Sequence, residues 1–358
     1  MTRNFEEIKE ISENITNLLK SDDFFLNIQP KELRNAVKSY PLRGGKKLRP
    51  ILTLWTCGLL GEEPEKAIFA AAAAEVYHNW TLVHDDIIDN DDMRRGKPST
   101  HKELSSFAKK KYKLNKIQAE KYGTAFAILA GDLQQSWAIS LLLKTTKFGI
   151  PENVVHSICN DMVHDLSVKL ISGEALDVVF SYRSIEKITQ REVENMLYLK
   201  TSALLNFCAI AGAKIALKTT NNNREQIKKL TEFTTSLGIA FQLRDDWLGI
   251  FGNAEELGKP IGSDISSAKP TLLMMETLKR TDSKSKQFLL SLFGKNNIPQ
   301  KDIEKVKKIM KDSGAEEFIC NKIEKLKIKA EKSLNYFPDN NYKKLLLDFN
   351  EYLATREY

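Results

Sequence analysis

The stretch Ala67-Ile-Phe-Ala-Ala-Ala-Ala-Ala-Glu75-Val-Tyr77-His78-Asn-Trp80-Thr81-Leu-Val-His84-Asp85-Asp86-Ile-Ile-Asp89 sets the terms for the whole chain. Its apolar run, Ala67 to Ala74, is closed by Glu75, and the small side chains over 67–77 suit a helix buried against close neighbours. Three carboxylates within five residues, Asp85, Asp86 and Asp89, repel one another, so a cation should offset them. Asp85 and Asp89 are four apart and stand one above the other on a helical face. Oxygen-only ligands at that spacing suit a hard cation such as Mg²⁺, which keeps waters and shares itself with phosphates. The competing reading is a solvated acidic turn, because Asn90, Asp91 and Asp92 continue the polarity. At roughly 100° per residue, His78 returns to within ~20° of the Asp85 direction, and Thr81 and Ala74 project near the same face. His84 points well off that face and reads as a packing or supporting residue.

Outward from this helix, the rest of the chain is also helical in pattern. The 358 residues are 42% hydrophobic and 28% charged, which fits a globular protein with a sizeable core. Apolar residues recur at helical spacing, as in Leu197, Ala203, Leu204, Phe207 and Ile210, and alternating strand-like runs are absent. The ten prolines fall mostly where connections are wanted. The expectation is an all-α protein of some ten or more helices, a single domain over 1–358 with its motifs in 40–275 and helices continuing through 276–358.

No stretch approaches the ~18 uninterrupted apolar residues of a membrane span, and the start lacks the basic-then-apolar order of a secretory signal. A cytoplasmic protein without a transmembrane segment is expected. Cys57, Cys159, Cys208 and Cys320 form no CxxC pair and read as buried free thiols. The net charge of +7 lies largely in Lys301 to Lys332, interleaved with acids; that reads as solvated helix faces, with no aromatic platform for nucleic acid.

Beyond the acidic stretch, Met93-Arg94-Arg95-Gly96-Lys97-Pro98 reads as a loop whose arginines suit phosphate, or simply neutralise the acidic turn. Arg43-Gly44-Gly45-Lys46-Lys47-Leu-Arg49 joins glycines to cations without the ending of a nucleotide-binding P-loop, leaving a phosphate pocket or a basic surface loop. A second acidic pair stands in Phe241-Gln242-Leu-Arg-Asp245-Asp246-Trp-Leu-Gly249, followed by Gly258-Lys259-Pro-Ile-Gly262-Ser-Asp264 and Lys269. Gln242 lies three before Asp245, so both can face one cavity. Lys200-Thr201 and Gly173-Glu174-Ala-Leu-Asp177 place charges on apolar helices, where they need partners or solvent.

Taken in order, GGKKLRP, EVYHNWTLVHDDIID, RRGKPSTH, GEALD, KTSALL, FQLRDD and GKPIGSDI resemble the trans-isoprenyl diphosphate synthases, over about residues 40 to 275. The resemblance implies an antiparallel helix bundle around a deep cavity, usually dimeric, condensing isopentenyl diphosphate head-to-tail with an allylic diphosphate. It assigns Mg²⁺, three ions per active site, to Asp85, Asp89 and Asp245, with Asp86 and Asp246 supporting. It assigns the allylic diphosphate to Arg94, Lys200 and Lys259. Isopentenyl diphosphate falls to Gly45, Lys46, Arg49, His78 and Arg95, while Thr201 and Gln242 line the reacting centre beside Lys200. The second family motif usually ends in aspartate; Gly249 stands there, so the distal ligand should be chiefly Asp245.

Product length is set in this family just below the first aspartates. Trp80 and Thr81, an aromatic then a small residue, are similar to the archaeal geranylgeranyl type, with Tyr77 ~12 Å below Asp85 as another candidate floor. Geranylgeranyl diphosphate is the expected product and farnesyl diphosphate its competitor. Two other classes are weighed: a metal phosphohydrolase, which needs histidines converging on one metal although His84 points away from His78, and a non-catalytic synthase subunit, which retention of both aspartate pairs argues against.

Overall fold

The computed structural model describes residues 2–253, 261–295 and 297–356. Its helices group into two compact units, one of residues 1–162 and 207–222, the other of 163–206 and 223–358.

The first unit contains α1 (Thr2–Ser21), α2 (Lys31–Leu42), α3 (Leu48–Leu59), α4 (Ile68–Ile88), α5 (Thr100–Tyr112), α6 (Lys116–Leu143) and α7 (Glu152–Asn160). Its core is the alanine run: Ala70 through Ala74 are at most 1% exposed, and α4 packs most extensively on α6, itself rich in buried alanines (Ala127, Ala130, Ala138). The expected buried helix is there, extended to the aspartates. Asn115 and Gln118 close a reciprocal cap that starts α6. Pro41 and Pro50 lie inside helices rather than at connections, but within the last turn of α2 and the first turn of α3. At Pro50 the missing N–H is one the first turn leaves unpaired in any case; at Pro41 the Val37 carbonyl loses its helical donor and accepts instead from Gln134 Nε2 at 2.9 Å.

The second unit holds α8 (Ser167–Ser181), α9 (Gln190–Leu197), α11 (Glu225–Phe251), a single helical turn at Ser263–Ser266, α12 (Leu272–Arg280), α13 (Ser283–Leu292), α14 (Gln300–Asp312), α15 (Ala315–Leu334) and α16 (Asn341–Thr355). The helix α10 (Ala203–Leu217) belongs to the first unit from Phe207 onward. The core of the second unit gathers Ala240, Leu243 and Ile250 of α11 with Ile319 and Ile323 of α15, among others. α14 buries Ile303, Val306 and Met310 while its lysines face outward or sit half-buried, as the interleaved charge pattern implied.

Among the described residues, the only sheet is a two-stranded pair, Met93–Arg94 with Lys97–Pro98. The stretch read as a loop is thus a miniature hairpin. Arg95 and Gly96 both take positive φ (53° and 71°), the geometry of a tight two-residue turn. Two wide π-helical turns, Asp161–Leu166 and Tyr198–Ser202, interrupt long helical runs. Lys116–Phe148 and Gln190–Leu217 are long and apolar enough to cross a membrane by length and composition alone, as core helices also can be; of the most apolar 18 residues in each, 44% and 78% are buried within the protein. All four cysteines are free, but only Cys57 and Cys208 are buried; Cys159 and Cys320 are half-buried.

Candidate active site

In the first unit, α4 ends at Ile88, and the Asp89 N–H still donates to the Asp85 carbonyl at 2.8 Å. Asp85 and Asp89 therefore keep the one-turn stagger read from the sequence. Asp85 is half-buried and Asp89 exposed. Asp86 differs: it is 1% exposed, accepts from Arg94 Nε at 2.8 Å, and accepts a second hydrogen bond from the Tyr40 hydroxyl. Burial pushes its carboxyl up, and Arg94 and Tyr40 pull it back. Two exposed or half-exposed carboxylates one turn apart, with a third turned away, make an oxygen-only donor set that fits a hard cation completed by water and phosphate. Among the described residues no three His, Cys, Asp or Glu side chains cluster into a cage of their own.

The hairpin after α4 aims its two arginines differently. Arg94 lies against Asp86, Asp91 (3.4 Å) and Asp85 (3.6 Å). Arg95 donates to the Gly44 carbonyl. Its guanidinium covers Gly45, whose φ is +118° and where a Cβ would meet Arg95 Cζ at 3.1 Å. Lys46 is exposed at the same loop, whereas Lys47 is buried, ion-paired with Glu75 at 3.0 Å and bonded to the Pro41 carbonyl. Arg49 has a buried Nε without a hydrogen-bond partner, and burial lowers its guanidinium from the ordinary value. His78 is held well below its usual range by burial first, then by Arg49, Arg95, Arg94 and Lys47. Glu75, the nearby carboxylate, is already engaged by Lys47 and Asn79. A neutral imidazole among cations, with the local acid spent on a neighbour, is a place for a polyanion.

In the second unit, Lys200 and Thr201 lie in the π-helical turn Tyr198–Ser202, a local widening frequent at functional sites. Lys200 Nζ reaches Asp177 Oδ2 at 2.7 Å and Glu174 Oε2 at 2.8 Å. Lys269 approaches the same Asp177 oxygen at 3.5 Å. Gly173 makes this possible: a Cβ there would lie 2.6 Å from the Lys200 backbone nitrogen. Thr201 Oγ1 donates to Gln242 Oε1 at 3.1 Å, and Gln242 Nε2 donates to Asp246 Oδ1 at 3.1 Å. Asp246 is buried, and its carboxyl is pushed up by burial first, then by Asp264 and Asp177.

Asp245 is the more exposed member of its pair and is ion-paired with Arg356 at the end of α16. Asp264 stands beside the gap left by the missing third aspartate: a Cβ on Gly249 would be 3.2 Å from Asp264 Oδ2. Lys259 lies outside the described residues. Sequence reasoning quoted Glu174, Asp177 and Asp264 without giving them roles, and it missed Tyr40, Glu75 and Arg356. The lysine in an otherwise apolar helix is the signal for Glu174 and Asp177; the others are contacts between distant segments with no local pattern.

Tyr77 is fully buried and Trp80 is 6% exposed, their ring centroids 4.7 Å apart. Trp80 also meets the His84 ring at 5.9 Å, so the three aromatics run along one side of α4, consistent with Trp80 and His84 both leaving the Asp85 face. Thr81 is half-buried and donates to the His78 carbonyl at 2.8 Å.

Paired carboxylates near lysine and arginine clusters, all carried on helices or their connections, are side chains of the kinds that suit metal ions and phosphate groups. The polyprenyl synthetase family matches residues 30–312. A geranylgeranyl diphosphate synthase of Saccharolobus solfataricus is 36% identical over 303 residues, 84% of this chain and 82% of that one. A geranylgeranyl pyrophosphate synthetase structure from Pyrococcus horikoshii matches with a TM-score of 0.84 at 31% identity, over 99% of each chain. A Corynebacterium glutamicum geranylgeranyl pyrophosphate synthase, complexed with isoprenyl diphosphate and magnesium, matches with a TM-score of 0.83 at 25% identity, over 97% of this chain and 98% of that one. The chain belongs to the polyprenyl synthetase family and is a prenyltransferase.

Proposed function

We propose that the protein condenses isopentenyl diphosphate head-to-tail with allylic diphosphates, with magnesium, to give geranylgeranyl diphosphate. The observation that carries this reading is the cation cluster of Arg49, Arg95 and the depressed His78, next to an oxygen-only carboxylate pair. Gly45, Lys46, Arg49, His78 and Arg95 hold isopentenyl diphosphate, with the neutral imidazole giving one hydrogen bond where cations give charge. Arg94, Lys200 and Lys259 hold the allylic diphosphate. Asp85, Asp89 and Asp245 are the magnesium ligands, for three ions, with Asp86 and Asp246 behind them. Bound magnesium neutralises the departing diphosphate. Lys200 contributes a fixed positive charge on that group, and the Thr201 and Gln242 oxygens face the cation that develops at the allylic carbon. No side chain is assigned as base; the released diphosphate takes the proton.

The family match runs through both units, which supports reading the chain as one synthase domain. A homodimer belongs to the same reading, because α6 leaves Ile117, Ile128, Leu129 and Leu143 exposed along its length. Light scattering after size exclusion tests it.

The catalytic test is incubation with Mg²⁺, labelled isopentenyl diphosphate and dimethylallyl, geranyl or farnesyl diphosphate, followed by chromatography of the dephosphorylated products. A C20 alcohol is expected. A C15 end product would make it a farnesyl synthase. Absence of extension from every primer, with release of phosphate instead, would favour a phosphohydrolase; absence of both would leave a non-catalytic subunit.

A further inference from the structure

Asp86 is the odd member of the acidic stretch, and what holds it comes from α2. The Tyr40 hydroxyl donates to Asp86 Oδ2 and accepts from the Thr100 N–H at 3.0 Å. Thr100 is the first residue of α5, and the preceding Ser99 makes no side-chain cap for that helix. The phenol oxygen therefore serves as the cap, satisfying one of the orphan donors of the helix end. A hydroxyl has one proton to give, and with Thr100 on its acceptor side that proton is directed at Asp86. The other oxygen of Asp86 receives Arg94 Nε at 2.8 Å. Thr100, Tyr40, Asp86 and Arg94 thus form one directed chain that joins α2, α4, the hairpin and α5.

The chain is fixed on every side. Tyr40 is 1% exposed, and Arg43 lies over its ring with 4.8 Å between guanidinium carbon and centroid. Arg43 in turn donates to the Pro98 carbonyl at 2.7 Å, closing the base of the hairpin. The two hairpin arginines are held by separate partners: Arg94 by the Tyr40-supported Asp86, Arg95 by the Gly44 carbonyl and Gly45.

We infer that Tyr40 is a positioning residue for the allylic half of the reaction, acting through Asp86 to fix the Arg94 guanidinium while leaving Arg95 untouched. This rests on the assignment of Arg94 to the allylic diphosphate made above. Without the hydroxyl, Asp86 keeps its burial but loses a donor, and Arg94 becomes the only group holding it. Arg94 is then drawn toward Asp86 and away from a diphosphate.

The test is Tyr40→Phe, which keeps the ring and its packing. KM for the allylic diphosphate should rise about tenfold, the loss expected for one hydrogen bond to a charged group. KM for isopentenyl diphosphate should stay within about twofold. In an Asp86→Asn background the same substitution should have little further effect. Equal rises in both KM values, or a lowered melting temperature with neither KM moved, would reduce Tyr40 to a structural role and overturn the inference. Arg94→Ala separates the two levels. If it leaves the allylic KM unchanged, the assignment of Arg94 fails and the inference with it. If it raises that KM while Tyr40→Phe does not, only the role of Tyr40 fails.

Discussion

The Lys200 ammonium is held by Asp177, with 2.7 Å between Nζ and Oδ2, and Lys269 shares the same oxygen at 3.5 Å. Asp177 is 6% exposed, so its charge is one that the lysines must balance. Asp177→Asn removes the charge but keeps the shape, so that of these two carboxylates only Glu174 still offers Lys200 a negative charge. The expected outcome is a fall in kcat of about tenfold or more, the scale of a lost hydrogen bond between charged partners. Steady-state kinetics beside a melting curve checks it; lost stability with intact kcat would show that Asp177 only supports the fold.

The depressed His78 makes a prediction about pH. Its folded value lies below the unfolded value of about 6.5, so the unfolded chain binds the extra proton first. The stability linked to His78 is full above about pH 6.5 and declines as pH falls toward its folded value. In the absence of substrates, the melting temperature of the protein should drop between pH 7 and 5. His78→Gln should drop less over the same interval. Parallel pH profiles for the two proteins would mean that the imidazole is not buried among cations.

At Gly45 both the backbone conformation and the space beside it disfavour a side chain. At φ +118° an L-residue is strained, and its Cβ would press the Arg95 guanidinium at 3.1 Å. Gly45→Ala should cost about 1 kcal/mol of stability or more. It should also raise KM for isopentenyl diphosphate severalfold, leaving the allylic KM near its original value. Selective loss on the isopentenyl side is the measurement to make.

Product length should respond to two sets of substitutions in opposite directions. Thr81 is one turn below Asp85, so Thr81→Phe should shorten the product toward C15. Tyr77→Ala or Trp80→Ala should lengthen it. Each of the last two also removes a buried ring, at a cost of about 3–5 kcal/mol, so the products are best compared well below the melting temperature. Unchanged length in both alanine variants would show that the aromatic pair supports α4 without closing the tunnel.

What could be read in advance was what a single helix or a short loop encodes by itself. The seven-residue separation of His78 from Asp85, the stagger of Asp85 and Asp89, and the sideways aim of His84 all follow from helical periodicity. The arginines of the hairpin were visible as cations, but their partners were not. Asp86 with Tyr40 spans 46 residues, Lys200 with Asp177 spans 23, and Thr201 with Gln242 spans 41. Such pairings depend on helix packing, which no local spacing reports. Lys46 and Lys47 show the limit most plainly: adjacent and chemically identical, one is exposed and the other sealed against Glu75. The π-helical turn that carries Lys200 leaves no compositional mark either.

The second motif lacks its closing aspartate, and Gly249 stands in that place. Gly249 lies within α11, where an aspartate would ordinarily be better tolerated than glycine and would complete the acidic pattern after Asp245 and Asp246. The surroundings argue the other way. A Cβ at that position already approaches Asp264 Oδ2 to 3.2 Å, and Asp264 is among the charges that push the Asp246 carboxyl up. A third carboxylate would therefore add repulsion to a group that already carries it. Gly249→Asp should raise the magnesium concentration needed for half-maximal activity and lower the melting temperature in the absence of metal. Added magnesium should recover more of that melting temperature in the variant than in the original protein. Gly249→Asp combined with Asp264→Asn should return both quantities toward their starting values. If the single substitution instead lowered the magnesium requirement, the added carboxylate would be acting as a ligand, and its repulsion by Asp264 would not be the governing effect.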